Sequence, residues 1–368
     1  MLPKNSIITY HNLVQKICIP AIKPGQRRQF IFGFNALASR PFVSLCSNAR
    51  TTVESRSAAE SKMARLLRNL RLQKQLTKLH LKLVNVNTKT MINVDHSEFN
   101  GLSVLMFAAQ TRSGRAIPVY LQTIPSLAQG HKAGSKHYAQ AKEKYLEWKR
   151  HTGHDQYSYT TYCIGQFIEL LGFKPNLVFD RGFCNKRIMK YLKSHKITFY
   201  IRARSSFCVK SKGIRKPITG FGAGSYNVSF GCKLRLIVGT KPDAKSEPWY
   251  IFTNNLKSSS EDILTTYYYR FEIEELFRDM KSILNTSRSR LKNCVNLATL
   301  LWFVCLGVVL LRLASKWPRV SVTGKNKSCH PKKKLSDFRA ILEEFERQFR
   351  QSVFKKITLT GTTSTRYG

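Results

Sequence analysis

The sequence predicts an α/β fold, and two groups of short strand-like segments support this prediction. The first group consists of three β-rich runs divided by Asn-Gly and Ser-Gly turn signals, at residues 91–95, 102–109 and 116–121. Neighbouring strands with tight connections form an antiparallel meander. The second group is a strand, a helix and a strand, at residues 176–180, 185–195 and 197–202. This order predicts a βαβ unit with parallel strands.

Helical and irregular patterns surround these strands. Leucines between residues 63 and 83 recur at three-and-four spacing among Lys and Arg, which predicts a pair of amphipathic helices. Residues 207–255 are Gly-rich and lack a helical period, and this is typical of an inserted sheet. The periodicity predicts two long helices at 258–284 and 291–315, and a last amphipathic helix at 335–350.

The charge of the chain indicates an anionic partner. The 368 residues include 62 Lys and Arg against 21 Asp and Glu, a formal net charge of +41. Hydrophobic residues make up 42% of the chain, which excludes a disordered polycation. A folded protein of this charge typically binds nucleic acid or an anionic membrane surface. The nine cysteines are an odd number without a Cys-x-x-Cys pair, and this favours reduced thiols in an intracellular, cytoplasmic protein.

Two segments leave alternatives open about the compartment. Residues 1–53 contain no acid and many Ser and Thr, which is the composition of an organellar transit peptide or of a DNA-binding arm. Residues 293–311 are 19 uncharged residues, close to the roughly 20 that span a bilayer. Because Asn293, Asn296 and Thr299 interrupt this segment, we expect a buried core helix and no membrane partner.

Acidic residues are scarce in this chain, so their positions are informative. Asp95 and Asp180 each follow a hydrophobic strand segment. Such residues are often turn starters, but the end of a strand is also where a sheet presents functional side chains at its edge.

A third acid lies in a segment with helical periodicity. Tyr267, Arg270, Glu274, Arg278 and Lys281 share one stripe of a helix drawn from 267 to 281. The remaining acids of this segment are expected to be solvated, namely Glu272, Glu275 and Asp279. Glu274 is therefore the one acid placed among cations, although a salt-bridged surface helix could have the same pattern.

Together, Asp95, Asp180 and Glu274 predict a metal site. Mg²⁺ prefers carboxylate oxygens, and two such ions can activate an attacking hydroxyl and stabilise the leaving oxygen in phosphoryl transfer. We therefore expect Mg²⁺ or Mn²⁺, as two ions, beside cations that hold phosphates.

The sequence also resembles a known family, the cut-and-paste DDE transposases of the insertion sequence 4 type. Its Tyr-x2-Arg-x3-Glu-x6-Lys signature is matched at Tyr267, Arg270, Glu274 and Lys281. The segment VNVNTKTMINVDHSEFN is similar to the family's first-Asp segment and contains Asp95. The resemblance extends over about residues 60–316.

Two further segments carry the resemblance. LVFDRGFCNKRIMKYLKSHKITFYIRARSS is similar to the second-Asp segment, with Asp180 and then Arg202 on the following strand. EPWYIFTNN is similar to the segment whose Trp stacks on a flipped base near the transposon end, which corresponds to Trp249. Trp249 could instead be a core aromatic of the sheet.

The resemblance implies a ribonuclease-H-like mixed sheet with flanking helices and a β-rich insertion before the last catalytic helix. Asp95, Asp180 and Glu274 would bind the metal ions, and six residues would contact DNA: Tyr267, Arg270, Lys281, Arg278, Arg202 and Trp249. The expected partner is double-stranded DNA, both transposon ends and target, with a homodimer assembled on it. Charge, periodicity and the resemblance together predict a basic helical DNA-binding region at 1–86, a catalytic core at 87–206 and 256–317, an insertion at 207–255, and a basic tail with a helix at 318–368.

The sequence thus predicts a DNA transposase that cleaves transposon ends and transfers strands. A metal-dependent nuclease without strand transfer and a non-catalytic nucleic-acid-binding protein on the same fold are the alternatives. A membrane-anchored basic protein is a third, and it depends only on residues 293–311.

Overall fold

The computed structural model describes residues 17–34, 55–99, 101–112, 114–126, 136–240, 247–282, 286 and 291–315. The helix expected at 335–350, the basic tail and most of the acid-free segment 1–53 lie outside these residues. The chain divides into two compact units. The first comprises Met1–Leu79, Ser282–Ser289 and Thr299–Gly368, and the second comprises His80–Lys281 and Arg290–Ala298.

Helices and strands follow one another along the described chain. The helices are α1 (Ile19–Ala21), α2 (Pro24–Gly33), α3 (Arg56–Leu67), α4 (Leu70–Val84), α5 (Lys136–Thr152), α6 (Gln156–Leu171), α7 (Lys186–Ser194), α8 (Ser260–Tyr268), α9 (Phe271–Ser282) and α10 (Cys294–Ser315). The strands are β1 (Met91–Phe99), β2 (Leu102–Ala109), β3 (Ile117–Pro125), β4 (Asn176–Phe179), β5 (Phe199–Arg202), β6 (Cys208–Ser211), β7 (Ile214–Pro217), β8 (Gly224–Ser229), β9 (Lys233–Gly239) and β10 (Trp249–Thr253).

The second unit contains one ten-stranded mixed sheet. Its strand order is β3-β2-β1-β4-β5-β10-β9-β8-β6-β7. β1, β2 and β3 form the predicted antiparallel meander. β1, β4 and β5 run parallel, with α7 connecting the last two. The predicted α/β architecture is therefore confirmed. The strands expected as an insertion extend this same sheet, because β10 pairs antiparallel with β5.

The helix predicted at 258–284 is two helices. α8 begins with a capping box, in which the Ser259 hydroxyl accepts from the Asp262 backbone N–H. α8 ends at Tyr268, Tyr269 and Arg270 form a turn, and α9 begins at Phe271. The prediction of one continuous helix is wrong here because helical periodicity in side chains does not reveal a local tightening of the backbone. That tightening appears in the Arg270 N–H, which donates to the Tyr267 carbonyl three residues back.

The described residues of the first unit lie largely in helices, and α3 and α4 confirm the predicted amphipathic pair. The α10 residues from Thr299 to Leu310 are buried, as expected for a core helix. Phe303 contacts Phe30 at 6.1 Å between ring centroids, and the Thr299 hydroxyl donates to the Leu67 carbonyl at 2.7 Å. Among the residues that the structure describes, no helix is both long and apolar enough to cross a membrane.

Candidate active site

The pairing of two parallel strands brings Asp95 and Asp180 side by side. The register pairs Val94 of β1 with Phe179 of β4. Asp95 and Asp180 are the residues that directly follow this pair along the chain. Asp180 comes directly after β4 and caps the short 3-10 helix Arg181–Phe183 by accepting from the Gly182 N–H. The expectation that Asp180 ends its strand is confirmed.

Asp95 does not end its strand. β1 continues to Phe99 because it stays paired with β2, where Asp95 lies opposite Met106. The expectation of a strand end at Asp95 is therefore wrong, and the reason is the antiparallel neighbour. Asp95 lies instead where the parallel pairing of β1 with β4 stops. The Asp95 carboxylate contacts a side chain from another element there.

Arg270 supplies that side chain and links Asp95 to Glu274. Its Nη1 lies 3.4 Å from Asp95 Oδ2, and its Nη2 donates to Glu274 Oε1. The Arg270 side chain is 6% exposed and that of Asp95 15%, whereas Glu274 is 46% exposed. The structure thus brings one acid from β1 and one from α9 to the same guanidinium. Arg270 and Asp95 are 175 residues apart in the sequence.

The electrostatics of Asp95 reflect both its burial and the charges around it. Burial raises the pKa of Asp95 to about 7. The Arg270 guanidinium lowers this pKa, whereas the Asp180 and Glu274 carboxylates raise it further. Both acids therefore lie close enough to repel a charge on Asp95, and a cation among them would be stabilised.

The donor set fits a hard divalent cation in its chemistry. All three residues offer carboxylate oxygens, which are the ligands that Mg²⁺ and Mn²⁺ prefer. In the described part of the chain, no three His, Cys, Asp or Glu side chains are gathered closely enough to hold a metal ion. Glu274 accepts a hydrogen bond from Arg270, and Asp180 accepts one from the Gly182 N–H. Metal binding by all three would require these carboxylates to exchange those partners for the ion.

Three of the residues expected at the DNA are buried or half-buried beside each other. Tyr267 is 1% exposed and Trp249 5% exposed, and their rings meet edge to face at 5.1 Å. The Arg202 guanidinium carbon lies 5.7 Å from the centre of the Trp249 ring. Burial raises the pKa of Tyr267 to about 12. In this conformation Tyr267 and Trp249 belong to the core between the sheet and α8.

The two other expected cations lie further along α9. Arg278 is 61% exposed and forms an ion pair with Glu275. The Lys281 ammonium lies 5.1 Å from the centre of the Phe99 ring, and partial burial lowers its pKa. Of the predicted stripe, Arg270 contacts both Tyr267 and Glu274, whereas Arg278 and Lys281 have other neighbours.

Two acids of α9 were expected to be solvated, and this expectation is wrong. Glu272 and Asp279 are each 3% exposed. Glu272 accepts hydrogen bonds from the loop after β2, and Asp279 accepts from Arg115 Nε at 2.6 Å. The sequence carries one signal of this, because the three acids at 272, 275 and 279 recur at three-and-four spacing.

His96 is a further residue near the site that the sequence did not indicate. Its ring stacks on that of Phe183 at 5.1 Å and 2° between planes. Burial lowers the pKa of His96 to about 4, so the imidazole is neutral at pH 7. Since Phe183 belongs to the turn that Asp180 caps, this stack packs the Asp180 turn against β1.

A comparison with known families agrees with this geometry. Residues 136–310 match the family model of the transposase DDE domain. This match supports a transposase function, and the mixed sheet with its flanking helices is a ribonuclease-H-like transposase fold. The matched region contains Asp180 and Glu274 and begins after Asp95. A search of curated proteins finds no match to the chain.

Proposed function

We propose that this chain is a DNA transposase of the insertion sequence 4 type, which cleaves transposon ends and joins them to target DNA. The observation that carries the proposal is the shared contact of Asp95 and Glu274 with Arg270, beside the strand that leads to Asp180. Two adjacent strands place the aspartates side by side, and Arg270 joins Asp95 to the glutamate of α9. The resemblance in sequence selects the same three residues.

Each acid has a role in this proposal. Asp95, Asp180 and Glu274 hold Mg²⁺ or Mn²⁺, in all two ions. When bound, the ions lower the pKa of an attacking water or 3′-hydroxyl and stabilise the leaving oxygen. Asp95 is the most buried of the acids in contact with Arg270, so its position is fixed most firmly by the sheet. Glu274 is half exposed and adjusts its carboxylate more freely.

The proposed DNA contacts divide by exposure. Arg278, Lys281 and Arg202 neutralise backbone phosphates beside the acids. Tyr267 and Trp249 are buried against each other, so they reach DNA only if binding opens the contact between α8 and β10. Arg270 is buried beside Asp95 and reaches DNA only if it leaves that partner. The partner is double-stranded DNA, and a homodimer on paired ends is the assembly that the family resemblance implies.

The charge of one long segment supports DNA as the partner. Residues 181–240 contain fourteen Lys and Arg and no Asp or Glu. Lys186 and Lys190 are exposed on α7, whose apolar face is buried through Ile188 and Leu192. Fixed cations without nearby acids favour binding of a phosphate backbone.

A cleavage and joining assay tests the proposal. The purified chain is incubated with Mg²⁺ and a DNA fragment that carries the sequences flanking its coding region, and nicked and joined products are separated by size. We expect both products from the wild type and from Glu261→Gln, an exposed acid at the start of α8, and neither from Asp95→Asn. Nicked DNA without joined product would indicate the nuclease alternative. Binding without any cleavage would indicate a non-catalytic protein.

A further inference from the structure

The loop between β2 and β3 is bound to α9 through the carboxylate of Glu272. The backbone N–H groups of Thr111 and Gly114 donate to this carboxylate at 2.8 and 2.9 Å. The Thr111 hydroxyl lies 3.2 Å from the same carboxylate and donates to the Arg115 carbonyl at 2.7 Å. The Ala116 N–H donates to the Glu272 carbonyl at 3.2 Å. The buried carboxylate thus has two backbone donors, one for each oxygen, and each charge-assisted bond is stronger than a neutral one.

The same loop is bound to the next turns of α9 by Arg115. Its Nε donates to Asp279 Oδ2 at 2.6 Å, and its Nη1 lies 3.1 Å from Glu275 Oε2. Residues 272, 275 and 279 fall on one stripe of the helix because they are separated by three and four positions. The loop therefore follows α9 over two turns and opposes both rotation and sliding of the helix.

A second group of hydrogen bonds holds the turn that precedes α9. Asn93 on β1 is fully buried, and its Nδ2 donates to the Tyr269 carbonyl at 3.2 Å. Gln110 Nε2 donates to Asn93 Oδ1 at 2.7 Å and to the Thr266 carbonyl at 3.1 Å. Asn93 lies two residues before Asp95, so both project from the same face of β1. The strand that carries Asp95 thus also fixes the start of the helix that carries Glu274.

We infer that Glu272 is a positioning residue that sets Glu274 against Asp95. Two positions along a helix correspond to a rotation of roughly 200°, so Glu272 and Glu274 lie on nearly opposite sides of α9. The loop between β2 and β3 binds the face of α9 that carries Glu272. The opposite face, which carries Glu274, is therefore directed towards Asp95 and Arg270. The inference rests on the proposed function, in which Asp95 and Glu274 share a metal ion. It adds an acid that contacts neither ion nor DNA but fixes the geometry of the site.

Mn²⁺ binding to the full chain without DNA tests this inference. Affinity is measured by calorimetric titration for the wild type, Glu272→Ala, Glu272→Gln, Asp95→Asn and the control Glu261→Gln. Loss of an outer residue that orients a metal ligand typically weakens metal affinity by about 10-fold to 100-fold. We expect a loss of about tenfold for Glu272→Ala. We expect a smaller loss for Glu272→Gln, which keeps the size of the side chain and one acceptor oxygen, and no change for the control.

Melting temperatures of the same samples separate positioning from simple stability. A lower melting temperature in both Glu272 variants with wild-type Mn²⁺ affinity would overturn the inference and leave the metal site standing. If Glu272→Ala does not fold, Glu272→Gln alone tests the inference. Wild-type Mn²⁺ affinity in Glu272→Gln would then overturn it. Absence of Mn²⁺ binding by the wild type would overturn the proposed metal site and this inference with it. Binding that Asp95→Asn retains in full would do the same.

Discussion

The acids of α9 and the acid-free segment at 181–240 differ in how their charged side chains are buried and paired. Around α9, charged groups are buried and paired, as Arg270 with Asp95 and Asp279 with Arg115. From 181 to 240 the charges are all positive, and Lys190, Lys210 and Lys212 are exposed. Arg187 in this segment pairs with Asp155, which lies outside it.

This difference suggests that one region carries the cleavage of DNA and the other carries the affinity for DNA. Buried carboxylates in fixed positions suit the coordination of a metal ion, because burial strengthens every electrostatic interaction. Exposed cations suit a phosphate backbone, which is held by many weak and salt-sensitive contacts. Substitutions of Asp95, Asp180 or Glu274 should therefore abolish cleavage with little effect on DNA affinity, and substitutions of the exposed cations in the second region should do the reverse.

The largest expected effect is loss of cleavage in Asp95→Asn. Removing a metal ligand costs several kcal/mol of transition-state stabilisation, which corresponds to about a thousandfold in rate. DNA affinity should stay near the wild-type value because phosphates are bound elsewhere. Single-turnover cleavage and a DNA-binding titration on the same preparation measure both. Asp180→Asn and Glu274→Gln should behave alike, and substantial cleavage by any one of the three would remove that residue from the site.

Trp249→Ala tests whether Trp249 stabilises the fold or binds DNA. Since its ring is buried against Tyr267, truncation should lower the free energy of unfolding by roughly 3–5 kcal/mol. Denaturant unfolding measures this, with the less buried Trp148→Ala as the control. If the variant instead keeps its stability and loses roughly 1–3 kcal/mol of DNA binding, the ring stacks on a base.

Arg270→Gln tests whether a cation belongs among the acids. The guanidinium lowers the pKa of Asp95, so its loss raises that pKa and leaves the buried carboxyl without its partner. Breaking such a pair costs roughly 3 kcal/mol. We expect this loss of unfolding free energy in a chelator and a smaller one in Mg²⁺, because a bound ion replaces the missing charge. Equal losses under both conditions would contradict a metal site at these acids.

The smallest effect is expected from the acid-free segment. Replacing Lys190, Lys210 and Lys212 by Gln should weaken DNA binding severalfold. The slope of log affinity against log salt concentration should become shallower by about 0.9 for each phosphate that is no longer neutralised. The rate of cleavage by saturated enzyme should be unchanged. The control is the same change of charge at Lys144, Lys149 and Lys174, which are exposed elsewhere in the described chain. Equal weakening in both triple variants would mean that net charge alone governs affinity.

The sequence by itself determined the elements and the three candidate acids. The meander, the βαβ unit and α10 follow from periodicity and turn residues, which act over a few neighbouring positions. The scarcity of acids in a chain of net charge +41 made Asp95, Asp180 and Glu274 stand out before any contact was known.

The tertiary structure decided which charges are paired and which aromatics are buried. Glu272 was expected to be solvated because its partners Thr111 and Gly114 lie about 160 positions earlier, and no local pattern reveals them. The turn at Tyr269 and Arg270 depends likewise on Asn93, a residue of the sheet. The periodicity of the sequence determines which face of a helix is buried. The register of the strands determines which residues that face contacts. The pairing of β1 with β4 places Asp95 beside Asp180, and the contacts of Arg270 link Asp95 to Glu274.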